Sequence, residues 1–158
     1  MKIKHFSNSK VTCFDFKFDI SKGNTLKNIL DLFEIKEMFL CIYGLKIQDD
    51  NFIASVKNKF AHADLLSYGF AFELTPSDLD ALFSIVTNRY DELVVYSKFT
   101  DWNLFIKKMS NISDVVESNQ PRFYLNFSPY DFNVVEIICD NQINNVTLND
   151  LQMIFSSN

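Results

Sequence analysis

Nucleophilic catalysis needs a Ser or Cys, a base within hydrogen-bond reach, and a third group that orients the base. The chain has two histidines, His5 and His62, and three cysteines, Cys13, Cys41 and Cys139. His62 lies in Phe60-Ala61-His62-Ala63-Asp64. On a helix, Asp64 would point to a different side, because residues two apart do not face each other. No nucleophile elbow or oxyanion-hole signature accompanies either histidine, so both are expected in solvated positions. The cysteines are widely separated and form no CxxC; each sits in an apolar or alternating stretch, where a thiol behaves as a small hydrophobe. An odd, scattered set predicts no disulfide framework and points to a reducing cytoplasm. With no HExxH, no paired cysteines and no alternating Asp loop, no metal is expected. Gly23, Gly44 and Gly69 are isolated, and none opens a phosphate-cradling motif. No cofactor is expected.

Carboxylates are more plentiful: Asp49-Asp50, Asp78 with Asp80, Asp91-Glu92, Asp101 and Asp114. Acid–base work would need one of them buried with a raised pKa. All fall instead at turns or helix starts, where capping and solvation account for them. Their other use is a binding surface. Trp102, in a first helical turn, and Tyr130, in a hairpin loop beside Asp131, are residue types favoured as interface anchors. The candidate partner-binding set is therefore Asp49, Asp50, Asp91, Glu92, Asp101, Trp102, Tyr130 and Asp131. No catalytic set emerges.

The charge balance fits that reading. Fifteen basic residues against twenty acidic ones give a net charge of −5, and only Arg89 and Arg122 are arginines. Bidentate phosphate and guanine contacts favour Arg, so nucleic acid is a poor candidate partner. An acidic surface attracts basic partners at long range. The N-terminal residues include lysines but no apolar run behind them, which argues against a secretory signal. The longest uncharged apolar run, Met38 to Leu45, is too short to cross a bilayer.

The elements that must position these residues are visible as periodicities. Phe14, Phe16, Phe18 and Ile20 alternate with Asp15, Lys17 and Asp19, a strand with one wet face. Leu26, Ile29, Leu30 and Phe33 form a helical stripe over about residues 25–36. Met38 to Tyr43 and Leu93 to Tyr96 are unbroken apolar runs and read as strands buried on both faces. Phe52, Ile53, Val56 and Phe60 predict a second helix, and Tyr68 to Leu74 alternates as a strand. Thr75-Pro76-Ser77-Asp78 is a helix start: a capping Thr, Pro in the first turn, and an acid at the positive end. Trp102, Phe105, Ile106 and Met109 give another helical stripe. Residues 110–120 form the longest polar connection, expected to be mobile. Phe123 to Phe127 and Val134 to Cys139 read as a hairpin, and Thr147 caps a last helix.

The expected fold class is α/β, a single domain over residues 1–158. Helices alternating with strands predict a mixed, partly parallel sheet of five to six strands, with a C-terminal hairpin plus helix. In size, acidity and lack of motifs the chain looks like the immunity proteins that bacteria make against delivered toxins, a resemblance that rests on no specific motif. It implies a non-enzymatic, cytoplasmic protein that binds and neutralises a toxin domain, such as a basic nuclease, with no nucleic-acid or membrane partner of its own. The alternative is a small α/β enzyme whose scattered active site leaves no local spacing.

Overall fold

Asn8 reverses the chain near its start: its Oδ1 accepts the amide protons of Lys10 and Val11 at 2.8 and 2.9 Å. That turn joins β1 (Lys4–Ser7) to β2 (Val11–Lys17). The computed structural model describes residues 2–8, 10–22, 24–45, 50–86, 90–109, 122–129, 131, 133–141 and 146–156. The remaining elements in chain order are α1 (Thr25–Leu32), β3 (Met38–Tyr43), α2 (Asp50–Lys59), β4 (Ala63–Leu66), β5 (Gly69–Leu74), α3 (Leu79–Ile85), β6 (Glu92–Ser97), α4 (Trp102–Met109), β7 (Phe123–Ser128), β8 (Val134–Asp140) and α5 (Leu148–Ser156). A single 3₁₀ turn over Pro76–Asp78 precedes α3. The expected mobile connection over residues 110–120 lies outside the described residues.

The eight strands form one sheet in the order β1-β2-β8-β7-β6-β3-β5-β4, with every neighbouring pair antiparallel. This corrects the expected mixed sheet of five to six strands. Two short edge strands, β1 and β4, account for the difference in number. The difference in direction is more instructive. The units β2-α1-β3, β3-α2-β4 and β5-α3-β6 do link strands that run the same way, whereas α4 joins the antiparallel neighbours β6 and β7. In each unit, however, at least one oppositely directed strand lies between the two: β5 between β3 and β4, β3 between β5 and β6, and β8, β7 and β6 between β2 and β3.

Alternation along the strands sorts residues onto two faces. The front face carries Phe14, Phe16, Leu40, Ile42, Phe70, Phe72, Leu93, Val95, Leu125, Phe127, Val135 and Ile137, which pack with α1, α2, α3 and α5 in the main core. Burying each such side chain is worth about 1.5–3 kcal/mol. The back face is covered over β3, β5 and β6 by α4 and Phe99: Phe105, fully buried, stacks on Phe39 at 4.0 Å, with Trp102 and Tyr96 around them. That double coverage is why β3 and the centre of β6 contain no polar residue. Beyond them, the back of β7, β8, β2 and β1 keeps solvent-facing polar residues, Asp15, Lys17, Asn126 and Glu136 among them.

Helix starts use the residues expected of them. The Thr75 amide donates to the Asp78 carboxylate at 2.7 Å, and the Thr147 amide and hydroxyl both donate to Asp150 at 2.7 Å.

Candidate functional site

The sheet register lays the back face out as a lattice. Val94, Asn126, Glu136 and Asp15 stand opposite one another on β6, β7, β8 and β2. Two residues along each strand, the next row holds Glu92, Ser128, Val134 and Lys17. Alternation alone thus puts Glu92, Asn126, Ser128, Val134 and Glu136 on one patch of the back face that no described helix covers. Asp91, just before β6, and Asp131, in the β7–β8 loop, extend it. These seven residues line a cavity of about 650 Å³.

Each wall has a local cause. The Asp91 amide donates to the Tyr43 carbonyl at 2.9 Å, and the Ser128 hydroxyl donates to the Asp91 carbonyl at 3.4 Å. Gly44, with φ of 69°, passes directly beneath the Asp91 carboxylate; a side chain there would occupy the space of that carboxylate. Glycine alone meets both demands without strain. Asn126 Nδ2 donates to Glu92 Oε1 at 2.6 Å, holding one carboxylate oxygen and leaving the other unengaged. Asn126 Oδ1 is closed to water and accepts no hydrogen bond among the described residues. At the far end of the loop, Asn133 takes a left-handed φ of 59° and its carbonyl accepts the Phe18 amide at 2.9 Å.

Four carboxylates, those of Asp91, Glu92, Asp131 and Glu136, therefore converge on one groove. Among the described residues none of them is in an ion pair. Beside them stand three half-buried tyrosines on the same face, Tyr43, Tyr96 and Tyr124, the last two with ring centroids 5.6 Å apart. Burial is the main cause that pushes all three phenols upward, and Glu92 adds to it in each case, so they remain neutral donors. Burial also pushes the Cys41 thiol up to about 12, which removes it as a nucleophile at neutral pH. Neither histidine lines the groove: His62 packs at a tilt against Trp102 with ring centroids 5.6 Å apart, and His5 stacks on Phe14 at 5.0 Å. Among the described residues no group of three or more His, Cys, Asp or Glu is placed to hold a metal ion. Such a lining can accept hydrogen bonds and balance positive charge.

Of the eight candidate residues, the structure brings Asp91, Glu92 and Asp131 together. Asp101 instead caps α4, accepting the Leu104 amide at 3.0 Å. Trp102 is half-buried against Phe39 and Phe105, an anchor for α4 itself. Asp50 begins α2, away from the groove lining. Asp49 and Tyr130 lie outside the described residues. Sequence reasoning missed Asn126, Ser128, Val134 and Glu136. They are the outward-facing partners of the apolar positions that identified β7 and β8, so the same alternation that gave the strands also marked them.

Comparison of the chain with protein-family models, curated proteins and solved structures finds no match. No helix among the described residues is long and apolar enough to cross a membrane.

Proposed function

We propose that this is a binding protein that seats a basic protein partner in the acidic groove and thereby silences it, the partner class being a toxin domain such as a basic nuclease met in a bacterial cytoplasm. The observation that carries the reading is the convergence of four carboxylates, none of them in an ion pair among the described residues, on a part of the sheet that no described helix covers. Like charges gathered this way cost free energy in the isolated protein, and that cost is recovered when a partner supplies the opposite sign. An acidic surface also speeds encounter with a basic one and blocks its substrate-binding groove. The protein acts by occupancy and needs no catalytic residue.

Co-expression with the product of the adjacent gene tests the reading. The expected result is that the neighbour is toxic alone, is tolerated with this protein, and co-purifies with it. Reversing Asp91 and Glu136 to Lys should slow association and flatten its salt dependence. A neighbour that is harmless alone, or that stays lethal beside this protein, overturns the reading.

A further inference from the structure

Resting on that reading, we propose that the acidic groove on the back face of β7 and β8 receives an arginine-bearing segment of the partner, with a guanidinium group lying in it.

Three observations favour a guanidinium over an ammonium group. The first is the arrangement of acceptors. Glu92 has one oxygen held by Asn126, and Glu136 stands opposite Asn126 on the neighbouring strand. Carboxylates on β6 and β8, either side of β7, suit a planar fork of five N–H donors better than one compact ammonium head. The second is the aromatic surface: Tyr124 shares the face with Asn126 two residues away, and Tyr96 packs against it at 5.6 Å. Arginine stacks on aromatic faces and is more weakly hydrated than lysine, so it loses less on entering a half-enclosed site. The third is size. A cavity of about 650 Å³ exceeds one side chain, leaving room for the backbone or a second residue of the segment that carries it. Charge complementarity selects the sign of the occupant, and the acceptors and rings select its shape.

The experiment compares hexa-arginine with hexa-lysine by titration calorimetry on the whole protein, at low and at physiological salt. The two peptides carry the same charge, so sequence-independent attraction cancels between them. Hexa-arginine is expected to bind at least about tenfold more tightly, a difference of about 1.4 kcal/mol. Tyr124→Leu and Asn126→Ala should shrink that ratio towards one, while Glu136→Gln should weaken both peptides. Thermal melts of each variant identify those that fail to fold, and Tyr124→Phe, which keeps the ring, should retain the preference. Equal binding of the two peptides overturns the guanidinium assignment and leaves the acidic docking face standing. Binding of neither overturns both.

Discussion

Glu136→Gln gives the sharpest test of whether the groove is built for binding and not for stability. Glu136 and Asp15 are directly opposite on β8 and β2, both on the solvent side of the sheet. Like charges in that position destabilise an antiparallel pair, by about 0.2–1 kcal/mol. Lys4 reaches Asp15 at 3.7 Å from the next strand and offsets part of the repulsion, which places the expected gain near 0.5 kcal/mol. For a chain of this length, that corresponds to a rise in Tm of roughly 1–2 °C. Differential scanning fluorimetry at 0.02 M and at 1 M salt, both order-of-magnitude choices, separates charge from packing. The gain should be present at low salt and nearly absent at about 1 M, where the Debye length falls to about 3 Å. A second readout is chemical. The Cys13 thiol is raised by burial and then by the charge of Glu136, so the variant should react faster with Ellman's reagent. A Tm that falls, or a gain that ignores salt, refutes the argument that the groove's charge is a standing cost.

The remaining expectations concern the frame that holds the groove. Phe105→Ala should cost about 3–5 kcal/mol and release α4, seen as a red-shifted Trp102 emission at urea concentrations where the far-ultraviolet signal of the sheet persists; coincident transitions with an unmoved midpoint would contradict it. Gly44→Ala should lower stability by about 1–2 kcal/mol and, by displacing Asp91, weaken binding of a basic peptide, whereas unchanged stability and binding would dismiss the role given to that glycine. In native protein the Ellman reaction should report Cys13 before Cys41 and Cys139, the latter two held up at about 12 and about 11 by burial; an early burst from either buried thiol would show the sheet to be open. Asp150 is held below the usual carboxylate range by the Thr147 amide and hydroxyl, so its folded pKa is depressed. Its contribution is present above the unfolded value and is lost as pH falls through the folded one. The stability difference between wild type and Asp150→Asn should therefore shrink from about pH 6 towards about pH 3, and a pH-independent difference would contradict the capping role.

Local chemistry made the long elements readable. The unbroken run Met38–Tyr43 announced a strand covered on both sides, and Thr75-Pro76 announced a helix start, because each signal acts within a few residues. Lys4-His5-Phe6-Ser7 and Ala63-Asp64-Leu65-Leu66 gave no such signal. Edge strands of four residues are half exposed and carry too short a pattern to separate period two from chance. Strand order was unreadable for a different reason. A helix between two strands allows either direction, parallel for β2 and β3 and antiparallel for β6 and β7, and the insertion of β6, β7 and β8 between β2 and β3 depends on pairings between distant residues. The groove needed that order, since Glu92 meets Asn126 and Glu136 only once β6, β7 and β8 are neighbours. Asp91, Glu92, Asp131 and Asp101 were picked out as acids and Trp102 as an aromatic anchor, and residue type alone does not separate a helix cap or a core anchor from a binding residue.

The pairing of β2 with β8 joins Val11–Lys17 to Val134–Asp140. During synthesis, at about 5–20 residues per second, the N-terminal hairpin must wait several seconds for the strand that will flank it. Phe14 and Phe16 are exposed through that interval, while β3, β4 and β5 can already assemble from contiguous chain. Folding is therefore expected to finish at β2 and β8, slowly, because the largest loop closes last. Until then the groove has no completed β8 wall, so a nascent chain cannot engage a basic partner. Binding competence arrives together with the final strand.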